Sequence, residues 1–434
     1  MQSWGRIHKP RQNSIPVSWR AHALPSPSHN HDSVLPFGLG HSYGDSCLNE
    51  GQTVLTTSSL DRFLSFDTAS GIIQCEAGTN FSDILYLTAP KGWFLPVTPG
   101  TKFVTVGGAL ANDVHGKNHH IDGTFGHAIR RFELLRSDGS RRICSPTQNA
   151  DWFYATIGGL GLTGLITWAE FQLTPIDNQL IEQEVIKFGN LAEFFALSQE
   201  SSANFRYTVS WIDCLARGAS LGRGHFIRGN HASSQFHQYP SKESKPRTIP
   251  IDFPSWALNR LTVKAFNFAY FHRQRKKTAK SIVHYEPFFY PLDGIHHWNR
   301  IYGARGFYQY QCVVPYTAGN DVIKEILTAI AKSGLGSFLA VLKTFGNIPS
   351  LGLMSFPRPG VTLALDFPNS GREVLHLFER LDDITRACHG AVYPAKDARM
   401  SSQSFKAFYP NWQNFAAFID PMFSSSFWRR VMES

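Results

Sequence analysis

Between Val97 and Gly126 the chain reads VTPGTKFVTVGGALANDVHGKNHHIDGTFG, a run in which glycines give way abruptly to titratable side chains. Glycine lets a backbone turn sharply or approach a ligand closely. Asp113, His115, Lys117, Asn118, His119 and His120 could hold charge or move protons. The pairing suits a cofactor cradle with chemistry beside it, against the plainer alternative of a long surface loop with solvated histidines. Two further glycine runs exist, Gly38-Leu39-Gly40-His41-Ser42-Tyr43-Gly44-Asp45 after the apolar Val34 to Phe37, and Ile157 to Gly164. Successive backbone N–H groups in such turns can form a nest for phosphate.

Other chemistries fare worse. His115 and His119 have the i, i+4 spacing of a helical zinc pair, but Gly116 disfavours a helix and Lys117 would set a cation against the metal. With no HExxH and no CxxC, no metal is expected. The chain has no GxSxG, no GxxxxGK[ST], and no GxGxxG placed in a βαβ unit, which excludes a Rossmann domain. Its basic residues are scattered through loops without a nucleic-acid module, so no nucleic-acid partner is expected.

These loops must be held by a chain of 434 residues, long enough for two or three domains, with 42% hydrophobic residues and 34 Phe. No run approaches the ~18 apolar residues of a membrane span, and MQSWGRIHKP lacks the apolar core of a secretory signal. Six scattered cysteines suit reduced thiols in the cytoplasm. A net charge of +9 points to an anionic ligand or surface.

Short strands at Thr53–Thr56 and Ile72–Ala77, a helix to Thr88 capped by Asn80 or Ser82, and a hairpin around Ser137-Asp138-Gly139 give the first 175 residues an α+β character. Arg217 to Pro250 reads as a long mobile polar loop. Pro254 to Phe271 reads as an aromatic helix next to the basic His272 to Lys277, suited either to an anionic membrane face or to a core. The last third follows a β-α-β-β-α-β plan: strand Phe307–Val314, helix Asn320–Ser333, strands Ser337–Lys343 and Thr362–Phe367, helix Arg372–Cys388 and strand Ala391–Tyr393. Gln309 and Gln311 share one face of the first strand and suit a pocket wall. No internal repeat is evident.

GLGHSYGD (38–45), the 97–120 stretch, GGLGLTG (158–164), the 289–315 segment, LALDFP (363–368) and YPAKDAR (393–399) together resemble the vanillyl-alcohol-oxidase, or PCMH-type, superfamily of FAD oxidoreductases. The likeness is strongest to its branch acting on polyprenyl-phosphoryl sugars and covers almost the whole chain. It implies an α+β fold: a two-part FAD domain from residues 1–178 and 391–434 around a substrate domain, 179–390, whose antiparallel sheet roofs the flavin. It implies FAD contacts from Gly38, Leu39, Gly40, His41, Ser42, Tyr43, Gly100, Thr101, Val106, Gly107, Gly108, Asn112, His115, Ile166 and Tyr393. Lys396 matches the family's active-site lysine, with Tyr43 and His115 as groups that handle a proton or orient. Lys117, Trp211, Tyr290, Gln309, Gln311, Lys343, Asp366 and Lys396 match substrate-pocket positions.

The activity implied is oxidation of a secondary sugar alcohol, the 2'-hydroxyl of a polyprenyl-phosphoryl ribose, to a keto-sugar. A short-chain NAD(P)H-dependent reductase partner would complete the epimerisation, at the inner face of the cytoplasmic membrane. The chain departs from the family in two places. Ala364 stands where relatives carry a cysteine, and His41 replaces an arginine. Because a histidine before this serine carries flavin covalently in aldonolactone and alditol oxidases, His41 leaves open both a covalent link and a soluble sugar-oxidase activity; non-covalent FAD is the expectation. The remaining alternative is a flavin-free scaffold or lipid-phosphate binder.

Overall fold

The computed structural model describes residues 1–25, 32–236, 247–254 and 256–433. The glycine loops are carried by two sheets. One is a parallel trio with Thr53–Thr56 between Asn13–Pro16 and Val34–Phe37. The other is antiparallel, ordered Phe63–Asp67, Ile72–Glu76, Leu165–Gln172, Ile129–Leu135, Arg141–Cys144. Between them the helix Phe81–Thr88 is capped by Asn80, whose side chain accepts from Asp83 N at 3.1 Å. Phe81, Phe94, Phe125, Phe132 and Phe171 fill the core beneath.

Apart from two short two-stranded pairings, Trp93–Phe94 with Thr174–Pro175 and Arg247–Thr248 with Ile295–His296, the remaining strands form one eight-stranded sheet. Its elements are β1 (Leu180–Phe188), α1 (Leu191–Ser201), β2 (Tyr207–Ile212), β3 (Gly224–His231), α2 (Arg260–His272) and β4 (Thr278–His284), then β5 (Phe307–Val314), α3 (Gly319–Ser333), β6 (Ala340–Phe345), β7 (Gly360–Pro368), α4 (Arg372–Ala387) and β8 (Ala391–Val392). The order is β4-β1-β3-β2-β6-β7-β5-β8, antiparallel at each pairing. It is two split β-α-β-β-α-β units joined through β2 and β6. The second unit was legible in the sequence; the first was not, and the pseudo-repeat is topological, without a repeated sequence to betray it.

One expectation is overturned here. Gly224–His231, inside the stretch read as a mobile loop, is a central strand. Its polar composition misled because His225 faces an internal cavity, Arg228 pairs with Glu184 and Glu200, and Asn230 donates to Asn204 O. The 237–246 part of that stretch lies outside the described residues. The aromatic helix starts at Arg260 rather than near Pro254, because Asn259 caps it, accepting from Leu261 N at 2.8 Å and Thr262 N at 3.1 Å.

In β5 the alternation of a strand sorts side chains by face. Tyr310 and Cys312 join the core under α3 and α4, while Gln309 and Gln311 face the glycine loops. Among the described residues, no helix is long and apolar enough to cross a membrane.

After β8 the chain returns to the glycine loops. Tyr43 N donates to Ala395 O at 2.8 Å, and a Cβ on Gly44 would lie 1.7 Å from Asp397 O, so only glycine fits. Arg430, near the C-terminus, bridges Asp45 at 2.7 Å and Asp397 at 2.9 Å, both carboxylates being almost wholly buried. Removing the cation would leave the buried Asp45 without an ion-pair partner and Asp397 with Arg399 alone, 3.7 Å away. Arg430→Ala is expected to cost about 3 kcal/mol, measured as a lowered urea midpoint at unchanged slope; an unchanged midpoint would contradict the bridging role.

Candidate active site

Where the glycine loops meet the open face of the large sheet lies a cavity of about 1040 Å³. It reaches the upper end of the volumes that small-molecule sites occupy, about 300–1,000 Å³, and so has room for a large cofactor with a substrate. One end is backbone. Gly38 to Tyr43, Gly100, Thr101, Gly107, Gly108 and Asn112 line it, with Ile166 and Tyr393. The N–H groups of Leu39, Gly40, His41 and Ser42 make no hydrogen bond to the described residues, so donors are free to meet an anion. Gly107 packs against Ala77, where a Cβ would come within 3.0 Å of the alanine methyl. These residues fit a dinucleotide: unspent donors suit a pyrophosphate, and Gly100, with open space where a Cβ would stand, leaves room beside them.

The other end is side chains from distant parts of the chain. His115 lies between two sheet residues, its Nε2 3.0 Å from Gln311 Nε2 and its Nδ1 2.9 Å from Lys343 Nζ. Lys343 also donates to Gly116 O at 2.9 Å. With an ammonium donating to Nδ1, the imidazole proton sits on Nε2 and meets the Gln311 carbonyl once that amide is turned over. Burial, with Lys343 next in weight, holds His115 well below the ordinary histidine range, so the ring stays neutral at pH 7.

Lys396 lies over the Tyr43 ring, 3.8 Å from its centroid. Among the described residues its ammonium has no hydrogen-bond acceptor, which distinguishes it from Lys343 and Lys117. Burial pulls Lys396 down, and it pushes the Asp366 carboxyl up. Burial also raises Tyr43 well above its usual value, so the phenol remains protonated. Lys117 donates to Phe289 O at 3.1 Å, and Trp211 Nε1 donates to Phe338 O at 2.9 Å.

Three of the residues matched from sequence stand behind the wall. Val106 is wholly buried in the core below the glycine loops. Tyr290 is buried with its hydroxyl 2.8 Å from Thr98 Oγ1. Asp366 is wholly buried and accepts from Gln309 Nε2 at 2.5 Å. Their reach into the cavity is therefore indirect, through Gly107, Thr98 and Gln309. His119 and His120 turn away: His119 Nδ1 accepts from Gly346 N at 3.1 Å, and His120 Nε2 meets Phe205 O at 2.9 Å.

Sequence reading missed other wall residues. Trp4 stacks on His41, centroids 4.9 Å apart and planes 14° from parallel, and Phe266, Tyr270 and Arg273 come from α2 and its end. Trp4 carried no local signal. The α2 residues did, as aromatics beside a basic run.

A glycine cradle for a dinucleotide, closed by an antiparallel sheet that contributes polar and cationic side chains, defines an FAD-dependent oxidoreductase of PCMH type. The profile of the FAD binding domain family matches residues 23–145. The decaprenylphosphoryl-beta-D-ribose oxidase of Mycolicibacterium smegmatis is 36% identical over 413 residues, covering 92% of this chain and 89% of its own. An uncharacterized protein of Streptomyces coelicolor is 31% identical over 80% of this chain and 97% of its own. The human delta(24)-sterol reductase is 33% identical over a shorter stretch, 26% of this chain and 22% of its own. The chain belongs to the family of the decaprenylphosphoryl-beta-D-ribose oxidase.

Burial lowers Lys343 to about 7 and Lys117 to about 8. Both are charged below those values and lose the proton above them, so anion affinity falls as pH rises through that window. Sulfate, a dianion throughout, should bind the FAD-loaded protein more weakly at about pH 9 than at about pH 6, as followed by perturbation of the flavin absorbance. A pH-independent dissociation constant would contradict the assignment.

Proposed function

We propose that this chain oxidises the 2'-hydroxyl of a polyprenyl-phosphoryl ribose to a 2'-keto sugar. The near full-length identity to the Mycolicibacterium oxidase is the observation that carries the substrate class. The cavity supports it, since Lys117, Lys343 and Lys396 suit an anionic sugar and Gln309 and Gln311 can bond its hydroxyls. We assign residues 1–178 and 391–434 to the FAD domain and 179–390 to the substrate domain.

Bound FAD supplies the acceptor for the two electrons and the hydrogen that leave the alcohol carbon. Gly38 to Ser42, Gly100, Thr101, Gly107, Gly108 and Asn112 would hold it, with Ile166 and Tyr393 against it. Burial lowers Lys396 to about 8, which makes its neutral form accessible near neutral pH, and in that form it takes the hydroxyl proton as the carbonyl forms. The ammonium that results stands where negative charge develops. Tyr43 supplies the platform that fixes the lysine. His115, with both nitrogens engaged, orients Gln311 and Lys343 rather than acting as base. Asp366 anchors the Gln309 nitrogen, so that the Gln309 carbonyl oxygen is presented to a sugar hydroxyl.

We propose that FAD is held without a covalent bond; the stacking of His41 on Trp4 supports a packing role for that ring. The keto product is chemically suited to reduction by a short-chain NAD(P)H-dependent partner, giving net epimerisation. The protein works peripherally at the inner face of the cytoplasmic membrane, where such a substrate resides.

Anaerobic mixing of the yellow protein with a polyprenyl-phosphoryl ribose should bleach the flavin. Lys396→Ala should keep its colour and bleach at least about a hundredfold more slowly. Bleaching by free alditols alone, with flavin that stays on the denatured chain, would replace this reading with a soluble sugar oxidase. A protein that stays colourless after FAD is supplied would contradict both.

A further inference from the structure

Helix α2 is built the wrong way round for a helix whose only role is packing. It buries Val263, Asn267 and Phe271, while Leu261 is 77% and Phe268 57% exposed. Ahead of it Trp256 is 74% exposed and Ile251 70%. Apolar side chains gathered in the open usually mark a contact surface. The charge around them has one sign. From residue 254 to 284 the chain contains no Asp or Glu, yet it carries Arg260, Lys264, Arg273, Arg275, Lys276, Lys277 and Lys280. Among the described residues, two of these seven are in ion pairs, Lys277 with Glu193 and Lys280 with Glu184, and the other five are not.

The helix also forms a wall of the cavity. Phe266 and Tyr270 line it, and Tyr270 packs on Trp211 with ring centroids 4.5 Å apart. Beyond them, cross-strand partners on the sheet face make an apolar row: Val185 beside Ile227, and Ile227 beside Val209. The adjoining row runs from Trp211 through Val341 and Ala364 to Gln311. An apolar track therefore leads from α2 toward the polar end of the cavity.

We propose that the outer face of α2, with Trp256 and the basic residues at the helix end, docks on an anionic lipid bilayer, and that a lipid-linked substrate passes sideways from the bilayer into the cavity beneath it. The entry route rests on the substrate reading given above; the docking surface does not. Basic side chains flanking exposed aromatics are the composition of an interfacial helix, and each cation near an anionic leaflet adds to the attraction. A protein partner would require an acidic and apolar counterface, whereas an anionic membrane supplies both features at once.

The test is sedimentation of the FAD-loaded protein with vesicles of phosphatidylglycerol and phosphatidylcholine, and with phosphatidylcholine alone. The wild type should bind the anionic vesicles and be released by salt. The double variant Leu261→Glu/Phe268→Glu and the double variant Arg275→Glu/Lys276→Glu should each lose about tenfold or more of that binding. Both should retain flavin and should bleach normally with a short, water-soluble prenyl-phosphoryl ribose, but lose turnover of long-chain substrate held in vesicles. Wild-type protein that ignores anionic vesicles, or variants that bind as well as it does, would overturn the docking surface. So would a wild-type dimer that Leu261→Glu/Phe268→Glu converts to monomer with vesicle binding intact, since the face would then be a protein interface. Vesicle binding lost in the variants, with no bleaching by any prenyl-phosphoryl sugar, would uphold the surface while removing the substrate reading.

Discussion

The backbone of Tyr43 and Gly44 lies flat against that of Ala395 and Asp397, and much of the site follows from that contact. The hydrogen bond from Tyr43 N to Ala395 O fixes the register between chain segments some 350 residues apart, and the missing side chain of Gly44 sets the distance. Arg430 then pins both loops from outside through Asp45 and Asp397. Lys396, between Ala395 and Asp397, lies over the Tyr43 ring. The same segment begins with β8, and Tyr393 N donates to Gln311 O at 2.9 Å. One junction thus aligns the cofactor loops, the lysine and the sheet that roofs them.

The cavity it creates is electrostatically lopsided. Lys117, Lys343 and Lys396 are half-buried in the cavity wall, and the carboxyl that faces Lys396, Asp366, sits behind Gln309. Such a site costs stability while empty of anions, because desolvated ammonium groups are held without full compensation. An anionic ligand restores the balance, which makes the unfavourable charge an investment in binding. Neutral His115 between Lys343 and Gln311 keeps the polar groups in fixed directions without adding a further charge.

How much of this was readable in advance depends on where each signal lay. The glycine loops, the Asn80 cap and the second β-α-β-β-α-β unit were legible because glycine spacing, capping chemistry and helical periodicity are local. Gln309 and Gln311 announced a pocket because two amides on one strand face are out of place in a core. The first unit escaped because Gly224–His231 carries polar residues on both faces, His225 toward the cavity and Arg228 paired with Glu184 and Glu200, which erases the apolar alternation that marks an ordinary strand. Val106, Tyr290 and Asp366 matched motif positions, but a motif does not say whether a side chain reaches the cavity or stands one layer behind. The Lys396–Tyr43 contact and the Trp4–His41 stack are tertiary, and no local pattern encodes them.

The central claim is that one carbon of a lipid-linked pentose is oxidised in this cavity. Rates of anaerobic flavin bleaching should be compared for polyprenyl-phosphoryl ribose carrying deuterium at C2' and the same compound carrying it at C3'. Breaking the C2'–H bond against the flavin predicts a slowed rate for the C2' label and an unchanged rate for the C3' label. Equal rates for both, or slowing by the C3' label alone, would contradict the account.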